Sequence, residues 1–318
     1  MVYPWDGSQR TIRREAVLTG VGTHSGKPVT LRLCPADPGT GVVFLRRDGQ
    51  GKEVAIPARS SALAGTELCT ILGEPSGLSV ATVEHLLAAV SALSIDNLFI
   101  EIDAGEVPVM DGSSEPFVGA LEEAGIVAQK ARVRAIKLVK PVRVEHGSSF
   151  AEFLPDTTRR FTVEIDFNCA VIGRQKTSLA LTPQSFKREI ARARTFGHMQ
   201  DVEKLWAKGL ALGSSLENAV VINDGKLLNA EGLRYPDEFV RHKLLDAIGD
   251  LALAGAPIIG HYRSYRGGHK INAMALQALL ADRAAWSWYV AGEARPPHAE
   301  QSEALAGYCA PAFAPELS

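Results

Sequence analysis

The sequence has few cysteines, and none of them belongs to a paired motif. Four cysteines occur in 318 residues, at positions 34, 69, 169 and 309. No two of them have the spacing of a zinc knuckle or of a thioredoxin-type redox motif, so both kinds of site are excluded. Reduced thiols in the cytosol are the simplest interpretation.

Long apolar runs and basic blocks are also missing. The N-terminal residues lack the apolar core of a secretory signal, and the longest uncharged apolar stretch, 251–260, is too short to span a bilayer. The 34 basic and 36 acidic residues leave a net charge of -2 without a basic tail, which argues against a nucleic-acid partner. We expect a cytoplasmic monomer with no stable membrane insertion.

The glycine-rich segment 20–27 does not meet the requirements of a phosphate-binding loop. A Walker loop needs glycine where Val21 stands and serine or threonine where Pro28 stands. The dinucleotide fingerprint needs its third glycine where Ser25 stands. The segment is therefore interpreted as a glycine-rich turn that exposes His24.

The predicted elements indicate an α+β protein rather than a parallel βαβ sheet, because strands are grouped before helices. The length suggests two domains, 1–129 and 130–318, or one large one, and strand-like periodicity restarts after a predicted connection at 130–135. Strands are predicted at 11–18, 29–33, 41–46, 95–103, 136–144, 151–153, 161–167 and 258–265. Helices are predicted at 83–93, 114–124, 183–193 and 237–254.

One internal similarity suggests a repeated unit. The helical segment that begins at His85 leads into an apolar strand at 97–102, and the one that begins at His242 leads into an apolar strand at 258–261. A duplicated α+β unit explains this pattern. Any amphipathic helix followed by a strand has the same appearance, so the sequence leaves both explanations open.

The predicted helix around 238–250 is the most informative segment. His242, Asp246 and Asp250 are spaced by four residues and therefore lie on one face, with an apolar row on the opposite side. Two acids and an imidazole are costly to bury unless they bind something or pair with one another. The His-x-x-x-Asp spacing suits two ligands of one metal ion, whereas the simpler interpretation is a solvated charged face.

Three further histidine-bearing segments add to this pattern. Glu84 directly precedes His85, so a metal-bound His85 would leave Glu84 near a water on that metal, but Glu84 could equally serve the helix dipole. His269 follows two glycines and is predicted on a loop, where catalytic groups are common. The polar cluster 192–198 suits either a site or the cationic end of a helix with a glycine stop.

Together, these segments contain the kinds of residue that a zinc-dependent hydrolase uses to bind its metal and to activate water. From about Arg10 to Ala285, the chain resembles the UDP-3-O-acyl-N-acetylglucosamine deacetylases, which are zinc enzymes of lipid A biosynthesis. The matching segments are Gly20–Gly26, Thr82–His85, Ile95–Asn97, Pro108–Gly112, Ile165–Asn168, Ala193–Gly197, Phe239–Asp250 and Gly268–His269.

The resemblance implies a fold of two similar α+β domains, each a sheet packed against two helices and carrying an insert, with the active site between them. It implies that zinc is bound by His85, His242 and Asp246. It further implies that Glu84 is the general base, that Asp250 holds a cationic His269, and that Lys243 and Thr195 assist at the reacting carbonyl.

The implied reaction removes the N-acetyl group, as acetate, from a UDP-linked 3-O-acylated amino sugar. Phe196 would line the sugar site, and Phe167 with Asp166 would contact the uridine end. The insert at about 201–228 would form a passage for the acyl chain. His24 and the insert residues Val202, Ser215 and Val221 complete the candidate substrate-binding set. A metal-dependent deacetylase of another acylated amino sugar is the alternative.

Overall fold

The computed structural model describes residues 7–74 and 77–290. Cys309 and the outer ends of the two predicted domains lie outside these residues. Cys34, Cys69 and Cys169 are free thiols, as expected. In the part of the chain that the structure describes, no helix combines the length and the apolar character that a membrane crossing requires.

The N-terminal half places its strands before its first α-helix, as predicted, although eight strands precede that helix where three were predicted. Its helices and strands are β1 (Ser8–Ile12), β2 (Ala16–Val21), β3 (Pro28–Pro35), β4 (Val42–Arg47), β5 (Glu53–Pro57), β6 (Leu63–Gly65), β7 (Ile71–Gly73), β8 (Ser79–Val80), α1 (Glu84–Ala92), β9 (Leu98–Ile102), α2 (Glu115–Ala124) and β10 (Ile126–Arg132).

The C-terminal half follows the same plan with a longer interruption. Its helices and strands are β11 (Arg134–Leu138), β12 (Val142–His146), β13 (Ser149–Leu154), β14 (Arg159–Asp166), β15 (Arg174–Ala180), α3 (Pro183–Glu189), β16 (Phe196–His198), α4 (Met199–Trp206), β17 (Val220–Asn223), β18 (Lys226–Leu227), α5 (Glu238–Ala252), β19 (Ile258–Tyr265), α6 (His269–Ala281) and β20 (Trp286–Val290).

The main sheets of the two halves share one topology. In the first sheet the order is β2-β3-β9-β4-β5, and β9 runs antiparallel to β3 and parallel to β4. In the second, β12-β13-β19 continues into β14 and β15, and β19 runs antiparallel to β13 and parallel to β14. Each half also places a helix directly before and after its central strand. This shared order supports the duplicated unit over a chance resemblance of two helices.

Helices α1 and α5 lie in the interior and contact each other more extensively than any other pair of helices in the described residues. Nearly every residue of α1 is buried, as are most residues of α5. A helix that is buried on all sides belongs to the core rather than to the surface. The α+β architecture is therefore confirmed, with these two helices at its centre.

Each half carries a small additional sheet. Strands β6, β7 and β8 form a three-stranded antiparallel sheet in the N-terminal half, and we call the segment Leu63–Val80 the first insert. In the C-terminal half, strands β16, β17 and β18 form the other small sheet, and α4 packs against β16 and β17. Most of α4, together with β17 and β18, falls in the segment 201–228 that was expected to be an insert, and we call this segment the second insert.

Several predicted boundaries are wrong. The predicted strand 11–18 is two strands, β1 and β2, and 136–144 is interrupted before β12 at Pro141, which fixes its own φ and has no N–H to donate. The connection expected at 130–135 is reduced to Val133, because β10 continues to Arg132 and β11 begins at Arg134. Helix α3 ends at Glu189 rather than at residue 193. The predicted domain boundary at 129/130 falls within β10 and stays a prediction.

Candidate active site

The candidate site forms where the first turn of α1 meets the middle of α5. Gly249 of α5 faces this turn, and a Cβ atom at that position would lie 2.0 Å from the backbone oxygen of Glu84. Glycine costs roughly 1 kcal/mol relative to alanine inside a helix, but here only glycine lets the two backbones approach. The close contact brings Glu84 and His85 beside the polar row of α5.

Three side chains from the two helices converge on one point. Ligand atoms of His85, His242 and Asp246 all lie within 4.8 Å of one another. The Nε2 atoms of His85 and His242 are 3.6 Å and 3.3 Å from Oδ1 of Asp246. The exposed fractions are 5%, 2% and 2% for His85, His242 and Asp246, so a solvated charged face is ruled out.

The proton positions in this cluster favour a cation between the three side chains. Nδ1 of His242 faces the carbonyl of Ala193 at 3.0 Å and therefore carries the proton. Burial lowers the pKa of His242 to about 4, although Asp246 opposes the shift, so the ring is neutral near pH 7 and its Nε2 lone pair points at Asp246. Oδ1 of Asp246 has no hydrogen-bond partner among the described residues. Two imidazole nitrogens and one carboxylate oxygen suit zinc.

Glu84 lies beside this cluster and does not belong to it. Its Oε2 accepts a hydrogen bond from the backbone N–H of Thr70 at 3.0 Å, and its Oε1 is 3.9 Å from Nε2 of His269. Burial raises the pKa of Glu84 above its ordinary value, although His269 and His85 oppose this shift. A carboxylate whose pKa is raised is a stronger base than an ordinary one and suits general-base catalysis.

His269 is the first residue of α6 and not a loop residue, which corrects the prediction. Gly267 and Gly268 directly precede α6, and Gly268 caps its N-terminus, so the two glycines lead into a helix. Nδ1 of His269 donates to Oδ2 of Asp250 at 2.9 Å. Burial alone would lower the pKa of His269, but Asp250 and Glu84 outweigh it and raise the pKa to about 10. His269 is therefore a cation whose Nε2 faces Glu84.

Lys243 and Phe196 lie next to the candidate metal ligands, and Thr195 directly precedes Phe196. Lys243 Nζ donates to Oδ2 of Asp246 at 2.8 Å and lies 5.8 Å from the centre of the Phe196 ring. The Phe196 ring is 6.2 Å from that of His242. Lys243 and Phe196 are therefore next to the cluster, whereas the backbone N–H of Thr195 donates to the carbonyl of Gly112.

A buried ion pair holds the segment that carries Thr195 and Phe196. Arg194 is almost fully buried, and its Nε donates to Oε1 of Glu238, the first residue of α5, at 2.9 Å. Removing one partner of such a pair leaves an unpaired buried charge, which is strongly destabilising. The pair thus fixes the Ala193 carbonyl against the helix that carries His242. The sequence pattern did not identify this function of Arg194.

Phe167 and Asp166 extend the candidate site away from His85, His242 and Asp246. The Phe167 ring is 5.8 Å from that of Phe196, and Phe167 is 36% exposed. Asp166 ends β14 and accepts hydrogen bonds from the hydroxyl of Tyr265 and the guanidinium of Arg266. An aromatic path therefore leads from His242 through Phe196 to an exposed ring next to a polar cluster.

The glycine turn that carries His24 contacts the second insert. The Glu106 carboxylate accepts from the backbone N–H groups of His24 and Ser25, and the N–H groups of Leu212 and Gly213 donate to the carbonyls of His24 and Thr23. The segment is not a phosphate loop, because a buried carboxylate occupies its N–H groups. Glu106 had no sequence signal, since it lies outside every recognisable pattern.

The remaining predicted insert residues differ in their surroundings. Val221 is buried in β17, Val202 is half-buried on α4, and Ser215 is exposed. Apolar side chains of the insert also reach the surface, among them Trp206, Leu212 and Leu216 with exposed fractions of 44%, 56% and 45%.

Known proteins resemble the chain over the same residues that build this site. A family model described as UDP-3-O-acyl N-acetylglycosamine deacetylase matches residues 9–281. UDP-3-O-acyl-N-acetylglucosamine deacetylases of Brucella ovis and Brucella canis are each 52% identical over 279 residues, which cover 87% of this chain and 97% of the relative. The protein of Brucella melitensis biotype 2 has the same identity and coverage. The chain therefore belongs to the UDP-3-O-acyl N-acetylglycosamine deacetylase family.

Proposed function

We propose that the protein is a zinc-dependent amide hydrolase that removes the N-acetyl group, as acetate, from UDP-3-O-acyl-N-acetylglucosamine in lipid A biosynthesis. The observation that carries the proposal is the buried convergence of His85, His242 and Asp246 beside Glu84 and a cationic His269. Family membership supports the substrate class, because the relatives are named for this reaction.

In the proposed site, His85, His242 and Asp246 hold zinc. Zinc bound there would supply a Lewis acid, which makes water acidic near neutral pH and draws charge from a carbonyl oxygen. The orphaned Oδ1 of Asp246 and the neutral His242 support this assignment.

The protein side chains account for the proton transfers. Glu84 accepts the proton of the attacking water, because its raised pKa makes it a competent base and its Oε1 faces the site. His269 presents a charged N–H that stabilises the oxyanion and protonates the amine that leaves. Asp250 keeps His269 charged and oriented. Lys243 and Thr195 assist at the reacting carbonyl.

The proposed substrate extends in two directions from the metal ligands. Phe196 contacts the sugar, and Phe167 with Asp166 lies at the uridine end. The acyl chain extends along the second insert, where Val202, Ser215 and Val221 line its passage and His24 faces it from the glycine turn. We further propose a cytoplasmic monomer with two domains, 1–129 and 130–318.

The direct test compares two related substrates. Purified protein is loaded with one equivalent of zinc, and acetate release is measured from UDP-3-O-acyl-N-acetylglucosamine and from the same acylated sugar without UDP. We expect turnover of the nucleotide-linked sugar that chelation of the metal abolishes. Preference for the free sugar would contradict the proposal and favour a deacetylase of another acylated amino sugar.

A further inference from the structure

Thr70 contacts both carboxylates that manage protons in the site. It is buried and stands directly before β7 in the first insert. Its backbone N–H donates to Oε2 of Glu84 at 3.0 Å, and its hydroxyl donates to Oδ1 of Asp250 at 2.6 Å. One residue thus anchors the proposed base and the partner of the proposed acid.

The surroundings of Asp250 show why the Thr70 hydroxyl matters. Asn272 donates to Oδ2 of Asp250 at 2.7 Å, and His269 donates to the same oxygen. Oδ1 receives its shortest hydrogen bond from Thr70, at 2.6 Å, and its other partner in the described residues is Nδ1 of His269 at 3.2 Å. Without the Thr70 hydroxyl, Oδ1 keeps only the longer contact to the imidazole that Asp250 has to hold, and the carboxylate is freer to rotate. Rotation of Asp250 moves the imidazole of His269 bound to it.

The position of Thr70 in the fold also favours a role in the site. Thr70 belongs to the N-terminal half, whereas Asp250 and His269 lie on α5 and α6 of the C-terminal half. Within the described part of the chain, its hydroxyl forms no hydrogen bond inside the first insert; its two partners are Oδ1 of Asp250 at 2.6 Å and Nδ1 of His269 at 3.4 Å. The first insert therefore reaches across the boundary between the halves to the proton-handling residues.

We propose that Thr70 is a positioning residue that fixes Glu84 relative to the Asp250–His269 pair. The inference rests on the proposed function. Because Thr70 lies behind these side chains and not among the residues assigned to substrate, it acts on the chemical step and not on substrate affinity. Residues that orient functional groups in this way typically contribute about 10- to 100-fold in activity.

The test uses Thr70→Val, which keeps the shape and the backbone N–H but removes the hydroxyl, and Thr70→Ser, which retains it. Thr66→Val makes the same change in the same insert, at a threonine assigned no role in the site. In the zinc-loaded enzyme, we expect kcat of Thr70→Val to fall about 10- to 100-fold, with unchanged KM and zinc content. Thr70→Ser should recover most of the loss, and Thr66→Val should match the wild type.

Several outcomes would overturn the inference while leaving the proposed function intact. A wild-type kcat in Thr70→Val would remove the role of the hydroxyl. An equal loss in Thr70→Ser would assign the effect to the methyl group, and loss of zinc or a raised KM alone would assign it to structure or binding. An inactive wild-type enzyme would instead overturn the proposed function, and this inference with it.

Discussion

Glu84 adjoins the candidate metal ligands, and its two carboxylate oxygens lie near the Thr70 N–H and Nε2 of His269. The variant Glu84→Gln keeps the size of the side chain and an oxygen for the Thr70 N–H, but it cannot accept a proton. We expect it to retain its zinc and to lose about 10²- to 10⁴-fold in kcat. Metal analysis and steady-state kinetics check both parts. A variant without zinc would mean that Glu84 is a ligand, and a near-normal kcat would mean that it is not the base.

The charge of His269 predicts the basic limb of the pH profile. Asp250 and Glu84 overcome the effect of burial and raise its pKa to about 10, so His269 is protonated below that pH and loses its proton as the pH rises through it. A divalent ion nearby lowers this pKa, so the limb is expected below pH 10 in the zinc enzyme. The measurement is kcat/KM against pH for the wild type and for His269→Gln. A basic limb that is the same in both would point to another group.

Among single residues, those at periodic positions can be predicted from the sequence and isolated ones cannot. The spacing of His242, Asp246 and Asp250 predicts that they share one helix face, although the spacing alone does not separate a metal site from a solvated charged face. Thr70 and Glu106 belong to no repeating pattern, and their roles arise only when distant segments meet. Asn272 stands three residues after His269 and shares its helix face, but this relation is visible only once the helix is known to begin at His269.

Among the helices and strands, the strong apolar patterns were predicted well and the charged strands poorly. Helices α1 and α5 lie within about two residues of their predicted ends. Strand β10 was not predicted at all, because Lys130 and Arg132 interrupt its apolar character. It is held by pairing with β1, about 120 residues earlier in the chain. Pairing partners of this kind cannot be inferred from local sequence.

The second insert should determine the response to acyl-chain length. Its exposed Leu212 and Leu216 offer an apolar surface next to the glycine turn. Each methylene removed from water contributes up to about 0.8 kcal/mol, so kcat/KM should fall as the acyl chain is shortened stepwise. Leu216→Ser should flatten this dependence, whereas Val139→Ser, a comparably exposed residue between β11 and β12, should not. An equal response to every chain length would show that the insert does not hold the lipid.

For the whole molecule, a metal in the proposed site joins the two halves, because His85 lies on α1 and the other ligands lie on α5. Free zinc at a hundred times its Kd stabilises the folded state by about 2.7 kcal/mol. Chelation should therefore lower Tm by several degrees, as measured by calorimetry. His85→Ala should abolish this difference although α5 keeps both ligands, and His146→Ala, at an exposed histidine, should preserve it. A zinc-dependent Tm in His85→Ala would mean that α5 binds the metal alone.

The charges of the side chains in the candidate site predict that a metal ion binds before an anion does. Glu84, Asp246 and Asp250 oppose Lys243 and His269, so the protein alone presents one excess negative charge at this point. A divalent cation reverses that sign, and only then does the site attract an anion such as the acetate product. Trifluoroacetate, followed by its fluorine NMR signal, should therefore bind the zinc-loaded protein and not the chelated one. Equal binding to both forms would contradict this order, in which the metal binds first and the metal-free protein repels carboxylates.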